Sequence, residues 1–379
     1  MRKKIILSIG LLLVTFCLKA QEDSIPQKYY DFVEKLDSSV NVGDPLFWHL
    51  SSNKKFFLES IKKHLNRPLN NYQEKALSET VDYILDLTPT KLIKNMGEEG
   101  FFENISLARN SKGEIRAIFR LLLSDGSLNY HSILLGELDE RVMINDIYAF
   151  SLGEDYSKLM ARLFLLQKNR KIAEQFVALK RAKMLIEKGQ LQQGKAAFSM
   201  LPVTLQRKKI VLLSFLQSLM KREEEDAKKM YLKFLIKYKT LYPNDPSLLL
   251  NQVDYFFLIK AHKKGLKNIE KLQKKVNGDP YLEFFKATIY QEQGLYDKSV
   301  EIMKNLIEKN RYINLAYINI MLSYNSAKNY QKLLTYLLEY AEVNTIDPKE
   351  AIDATIFADF FSSQVWKDYE NGQKKSTKD

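Results

Sequence analysis

The chain is most constrained by a 34-residue spacing that recurs in its C-terminal half. Pro246 and Pro280 lie 34 residues apart. The same interval separates ring and aliphatic residues in four further series: Phe256, Tyr290 and Tyr324; Tyr296 and Tyr330; Ile269 and Met303; Leu272 and Leu306. A self-similarity of this length predicts helical units that stack one upon the next, since a single unit cannot bury its own apolar face.

The unit that begins at Pro280 shows the pattern best. It has a small residue where two helices would touch, a ring behind it, a glycine at the turn and a ring after the turn: Ala287, Tyr290, Gly294 and Tyr296. In this it resembles the tetratricopeptide repeat, with units starting near residues 175, 246, 280 and 314 and an irregular unit between 209 and 245. The resemblance implies an all-α solenoid over residues 166–347.

Two residues depart from the family pattern, Glu283 in place of an aromatic residue and His262 in place of tyrosine. The sequence further predicts a capping helix over residues 348–369, and the polar composition of residues 370–379 predicts a disordered tail.

Tetratricopeptide repeats bind protein or peptide partners along the first helix of each pair. The resemblance therefore implies a partner-binding strip of apolar, aromatic and hydrogen-bonding residues: Leu250, Asp254, Tyr281, Phe284, Thr288, Gln291, Leu315, Ile318 and Leu322. The alternative is that Tyr281 and Phe284 are core residues.

The N-terminal half has a different period. Apolar spacing predicts helices over residues 24–40, 53–65, 71–87 and 155–168. Between them, alternating apolar and polar residues predict strands over residues 101–109, 114–123, 128–136 and 141–149. Helices followed by a four-stranded antiparallel meander indicate an α+β domain over residues 21–165.

This domain resembles the nuclear-transport-factor-like cone fold, in which a curved antiparallel sheet wraps over helices. The resemblance is carried by Ser124-Asp125-Gly126-Ser127 and by the closing strand Val142-Met143-Ile144-Asn145-Asp146-Ile147-Tyr148. Cone folds include both enzymes and non-catalytic domains, so the fold does not decide the function.

The predicted turns place four polar residues in one row. A two-residue turn at Asp125-Gly126 puts Arg120 opposite His131, and a turn at Leu138-Asp139 puts His131 opposite Asp146. Symmetric closure of the first hairpin puts Glu103 opposite Arg120. The row is either a polar ladder on the less buried face of the sheet or an acid–base set inside a pocket.

The first 20 residues have the layout of a secretory signal peptide. Arg2, Lys3 and Lys4 precede an apolar run too short to span a bilayer, and cleavage is predicted after Ala20. The segment resembles signal peptides of Bacteroidetes. Phe16, where a lipoprotein signal has a small residue, argues against a lipid anchor on Cys17, so the mature chain is expected to contain neither cysteine nor a transmembrane helix.

Charge is divided unevenly along the chain. Residues 21–165 carry a net charge of −5 and residues 166–379 a net charge of +13, the latter from 32 Lys and 5 Arg against 24 acidic residues. Because arginine dominates phosphate and base recognition, a lysine-rich and arginine-poor surface indicates a solvated face, and no nucleic-acid partner is expected. No metal, phosphate or dinucleotide motif occurs, so no cofactor is expected.

The sequence thus predicts an exported, non-enzymatic scaffold that binds a protein or peptide in the periplasm or outside the cell. One alternative is a small-ligand-binding or enzymatic N-terminal domain. Another is a protein that binds an acidic envelope glycan or polymer. A closed pocket of several hundred cubic ångströms around His131 and Asp146 would favour the first alternative.

Overall fold

A computed structural model of the chain describes residues 24–98, 100–124, 127–167, 170–222, 224–309 and 313–376. The predicted signal peptide with Cys17, and the predicted Asp125-Gly126 turn, lie outside this part. By its contacts the chain divides into two compact units, Met1–Leu248 and Leu249–Asp379. We call them the sheet unit and the helical unit. The sheet unit is α+β, and the described part of the helical unit is helical.

The sheet unit contains, in chain order, α1 (Gln27–Asn41), α2 (Leu46–Leu50), α3 (Lys54–Leu65), α4 (Asn71–Met96), β1 (Phe101–Arg109), β2 (Ile115–Leu122), β3 (Leu128–Leu138), β4 (Arg141–Ala149), β5 (Glu154–Asp155), α5 (Tyr156–Gln167), α6 (Arg170–Glu187), α7 (Leu191–Ser199), α8 (Val203–Gln206), α9 (Lys209–Met220) and α10 (Glu225–Leu241). The helix α11 (Pro246–Leu258) crosses the boundary between the units.

The helical unit continues with α12 (His262–Lys275), α13 (Leu282–Glu292), α14 (Tyr296–Glu308), α15 (Ile313–Ser326), α16 (Tyr330–Asn344), α17 (Ala358–Phe361) and α18 (Gln364–Ser376).

The sheet is an antiparallel meander in the order β1-β2-β3-β4-β5, which confirms the four predicted strands and adds a short fifth. Alternate residues of the strands face one core, among them Phe119, Ile133 and Ile144. Helices α1, α3, α4 and α5 cover that face with apolar residues at helical spacing, such as Leu36 and Phe57. The core therefore lies between the sheet and the helices that flank it in the sequence.

Helix α4 is longer than predicted, because it continues through Thr88-Pro89 to Met96. Its start is fixed by a capping box in which Asn70 and Gln73 exchange hydrogen bonds of 2.9 and 3.3 Å. Proline in a helix removes one backbone hydrogen bond. Here Pro89 is buried, on a helix face that packs against the core, and this packing offsets the lost bond.

The turn between β2 and β3 shifts the predicted register by one residue. Leu122 pairs with Leu128, and the amide of Leu123 donates to the carbonyl of Ser127 at 3.0 Å. Three residues rather than two thus lie between Leu123 and Ser127, the last hydrogen-bonded pair before the turn. Arg120 consequently lies opposite Tyr130, and His131 lies opposite Phe119, so the predicted Arg120–His131 pair is wrong.

The turn between β3 and β4 is also displaced from its predicted position. Asp139 and Glu140 both have positive φ, 47° and 64°, as a two-residue hairpin turn requires, so the turn lies one residue later than predicted. A bulge at Leu134/Leu135 adds a second shift. Asp146 therefore pairs with Leu134, and the predicted His131–Asp146 pair is wrong.

The division by contacts lies at Leu248, and the end of the first domain predicted from the sequence lies at residue 165. Helix α9 contacts the loop after β4, where the Gln217 side-chain amide donates to the carbonyl of Ser151 at 2.9 Å. The Tyr148 hydroxyl on β4 also donates to Asp245 at 3.3 Å. These contacts join the first helices of the predicted repeat region to the sheet.

The C-terminal segment also differs from the prediction. In place of a single capping helix over residues 348–369, the short helix α17 is followed by α18, which continues to Ser376 into the predicted tail. Phe360 and Trp366 hold the two helices together, with ring centroids 5.4 Å apart.

Residues 34 positions apart hold equivalent places in the helical unit. His262, Tyr296 and Tyr330 are the first residues of α12, α14 and α16. Ile269, Met303 and Leu337 are fully buried one turn or more into the same helices, and Leu272 and Leu306 follow them in the core. Gly294 turns between α13 and α14 with φ of 71°.

Candidate ligand-binding cavity

The sheet unit has a cavity of about 880 Å³, open to solvent on one side, between α4, the ends of β2 and β3, α5 and α9. Its wall consists of Thr80, Tyr83, Ile84, Leu87, Thr88, Lys91, Leu92, Asn95, Leu121, Leu123, Ser127, Leu128, Asn129, His131, Ser151, Leu152, Tyr156, Leu159, Met160, Leu163, Gln217, Met220 and Lys221. Small-molecule sites have volumes of about 300–1,000 Å³, so the cavity is of ligand size.

Helical periodicity explains how α4 supplies a third of this wall. The residues from Thr80 to Asn95 that line the cavity recur three and four positions apart and hence share one face of the helix. Tyr156, Leu159 and Leu163 provide the equivalent face of α5. Each helix thus turns an apolar stripe toward the core, and a neighbouring stripe, half polar in α4, toward the cavity.

The wall is mostly apolar, and several of its polar groups are hydrogen-bonded within the protein. The Asn129 side chain donates to the Ser151 hydroxyl at 2.9 Å and accepts from the Ser151 amide at 2.9 Å. Gln217 donates to the Ser151 carbonyl, and the Thr88 hydroxyl donates to the Ile84 carbonyl at 2.7 Å. These bonds fix the polar side chains, so that aliphatic and aromatic groups dominate what an occupant would touch.

His131 is the buried polar residue of the wall. Only 4% of its surface is exposed, and its ring lies 6.3 Å from that of Phe102, which stacks on Phe119. Burial lowers the pKa of His131 to about 4, so the imidazole is neutral at neutral pH. Its Nδ1 atom has no hydrogen-bond partner among the described residues.

The predicted polar row is divided between the two faces of the sheet. Glu103 and Arg120 pair as predicted and form an ion pair, with the guanidinium fully buried against the ring of Phe101. Since side chains alternate along a strand, Arg120 points away from the face that carries Phe119 and His131. An acid–base set made of all four residues is therefore absent.

Asp146 has a structural role instead. Its carboxylate accepts hydrogen bonds from the amide and hydroxyl of Ser157, at 3.1 and 2.5 Å, and so caps the N-terminus of α5. Burial raises the pKa of Asp146 to about 6, against the opposing effect of these hydrogen bonds. The carboxylate does not line the cavity that contains His131.

Eight of the nine residues of the predicted partner-binding strip lie on α11, α13 and α15, and Tyr281 is the N-cap residue of α13. None is fully buried, and Leu315 is 42% exposed. Gln291 is engaged within the unit, because its amide donates to the Asn319 side chain at 2.9 Å and to the Ser323 hydroxyl at 2.6 Å. Burial raises the pKa of Asp254 to about 6.

Sequence reasoning missed most of the cavity wall. It ended α4 too early to include Lys91 and Asn95, and it assigned Gln217 and Met220 to an irregular repeat. A signal was present in the segment KIVLLSFLQSLM, which is apolar on nearly all sides. A helix of that composition is buried by more than one neighbour.

Comparisons with protein-family models, with curated proteins and with solved structures found no match to this chain. Within the described ranges, no group of three or more histidine, cysteine or acidic residues could hold a metal ion. No helix of that same part is both long and apolar enough to cross a membrane.

Proposed function

We propose that this protein is a binding protein whose sheet unit holds a small, largely apolar molecule in the cavity. The observation that carries this proposal is the cavity itself, about 880 Å³ in volume and walled mostly by leucine, isoleucine, methionine and tyrosine side chains. Burial of apolar surface contributes about 25 cal/mol per Å², which makes an occupant of matching shape and polarity the natural ligand.

The separation of the titratable groups favours binding over catalysis. A general acid or base that depends on a second titratable group for its activation needs that group within hydrogen-bond reach. His131 is neutral and lies in the cavity wall, whereas Asp146 caps α5 and does not line the cavity. The residues that the sequence suggested for proton transfer are therefore better explained as structural.

A fluorescence titration with an environment-sensitive apolar dye tests this proposal. Leu159→Trp replaces an aliphatic side chain of the cavity wall with a larger aromatic one. Because the indole ring would occupy part of the cavity, the dye should bind at least about tenfold more weakly. Leu185→Trp on α6 is the matched control, since Leu185 is also partly buried but does not line the cavity. Equal dye binding by both variants, or no binding by the parent protein, would refute the proposal.

A second function is favoured by the helical unit. We propose that its helix pairs are tetratricopeptide-like and bind a protein or peptide along the strip of nine residues. The supporting observation is that apolar and aromatic residues such as Tyr281, Phe284 and Leu315 stay partly accessible, although the neighbouring helix face is buried. Central aromatic residues of this kind dominate binding energies at interfaces.

Capture of partners from envelope extract tests the second proposal. The double variant Tyr281→Ala with Phe284→Ala should lose a partner that the parent protein retains. Tyr296→Ala with Tyr330→Ala is the control, because these partly buried rings begin the second helices and lie off the strip. If both double variants capture the same proteins at equal strength, the strip is not the binding site.

Export remains part of the proposal, supported by the basic start and apolar run of the first 20 residues. Sequencing of the N-terminus of the protein recovered from the periplasm or medium should give Gln21 as the first residue. Recovery of the full-length chain from the cytosol alone would contradict export.

A further inference from the structure

The charges around the cavity indicate what kind of head group its occupant carries. Lys91 and Lys221 line the cavity and are exposed, so they form part of its rim. No aspartate or glutamate lines it among the described residues. Residues 21–165 nevertheless carry a net charge of −5. Lys91 lies in this acidic segment, whereas Lys221 belongs to residues 166–379, which carry a net charge of +13.

The surroundings of the two lysines leave them available to a ligand. The carboxylate of Glu224, the described acidic residue closest in sequence to Lys221, is bound by Arg222. Lys91 lies on the last turns of α4, on the helix face that forms the wall. Two lysines without an arginine provide point charges rather than the bidentate fork that matches phosphate.

The helix N-terminus nearest the cavity is already occupied. Helix α5 reaches the wall at Tyr156, and free amides at such a site would bind a phosphate. Asp146 accepts the Ser157 amide and hydroxyl at that point. The cavity therefore offers an anion two ammonium groups and few backbone amides, which suits a singly charged head group.

We propose that the cavity takes an amphiphile with one apolar chain and a single carboxylate, with the chain inside the cavity and the carboxylate beside Lys91 and Lys221. This inference rests on the proposed ligand-binding function. Buried and neutral, His131 lines the apolar interior rather than the head-group site. The orientation follows, since a carboxylate placed at His131 would lack a cationic partner.

Isothermal titration of the full mature chain with dodecanoate and with dodecanol compares the two head groups on the same chain length. Two exposed ion pairs of ordinary strength predict that dodecanoate binds about tenfold more tightly. Lengthening the carboxylate by one methylene should tighten binding about fourfold until the cavity is filled. Raising the salt concentration should weaken the binding of dodecanoate and leave the binding of dodecanol unchanged.

Two pairs of substitutions locate the head group. Lys91→Gln with Lys221→Gln should remove the preference for dodecanoate while dodecanol binds as before. Lys180→Gln with Lys195→Gln is the control, because these exposed lysines of the sheet unit do not line the cavity. The control should keep the full preference.

The outcomes separate this inference from the function on which it rests. Equal affinity for dodecanol and dodecanoate, or a preference that survives in the Lys91/Lys221 variant, overturns the carboxylate inference alone. Tighter binding of dodecyl phosphate than of dodecanoate also overturns it, in favour of a phosphorylated head group. Binding of none of the three overturns the proposed ligand-binding function as well.

Discussion

The sheet unit and the helical unit use their secondary structure in opposite ways. In the helical unit small residues lie where helices meet, and Ala287, Ser299 and Ala316 are completely buried. Ser323 and Gln291 bond neighbouring helices there. In the sheet unit one stripe of the long helix α4 packs in the core, and a neighbouring stripe faces a cavity of about 880 Å³. Regular stacking fills space, whereas the packing of α4, α5 and α9 with the sheet leaves room for a ligand.

The largest effect is expected where helix α9 meets the loop after β4. Gly153 has a φ of 68°, and a Cβ there would lie 2.7 Å from Leu213 Cδ1 and Lys209 Cδ. Gly153→Ala should cost about 1 kcal/mol for the backbone and a further 1–3 kcal/mol for overpacking. Gly113→Ala is the control, since Gly113 has a φ of 78° with nothing near its Cβ.

Chemical denaturation measures both glycine variants. If Gly153→Ala costs no more than Gly113→Ala, α9 does not pack on the loop after β4, and the boundary at Leu248 loses its support.

A pH effect of about 3 kcal/mol is expected from His131. Its pKa of about 4 in the folded protein lies below the usual value of about 6.5, so the unfolded chain binds more protons between these values. Stability is complete above pH ~6.5 and is lost as the pH falls toward 4. His131→Phe should remove this loss.

The pKa of Asp146 is shifted in the direction opposite to that of His131. The pH dependence of stability must therefore be compared between the parent protein and the His131→Phe variant. Its pKa of about 6 is raised, so that its protonation stabilises the folded protein as the pH falls. The difference between the two proteins in the free energy of unfolding, measured at each pH by denaturation, isolates the contribution of His131. If this difference in the free energy of unfolding stayed constant from pH 7 to pH 4, His131 would not be buried as neutral imidazole.

Enlarging a side chain should have different effects in the two units. Ala287→Leu forces a branched chain into a full helix contact and should cost about 2 kcal/mol. Leu159→Phe adds volume beside the cavity and should change stability by less than about 0.5 kcal/mol. Thermal unfolding of both variants compares them. Equal losses would mean that the cavity is filled by its own side chains.

The sequence predicted the elements well, because apolar period distinguishes helices from strands over ten or more residues. Strands β1 to β4 lie within two residues of their predicted limits. The site was less predictable because the register depends on single residues. One residue more in the turn before Leu128 moved Arg120 away from His131. A turn at Asp139-Glu140 and a bulge at Leu134/Leu135 moved His131 away from Asp146.

The cavity itself could not be predicted from local patterns. It is formed by α4, β3, α5 and α9, whose lining residues are separated by more than a hundred positions, and each lining leucine has the spacing of an ordinary core residue. The position of the cavity depends on the packing of α9 beside the sheet. This packing was not predicted, because the 34-residue spacing suggested a separate domain from residue 166 onward.

The most direct test of the account is a crystal structure of the protein soaked with a long alkyl alcohol that carries bromine at its far end. One strong anomalous bromine peak is expected in the sheet unit, among Leu92, Leu121 and His131. Bromine found only on the surface or in the helical unit, at a concentration that saturates binding in solution, would contradict it.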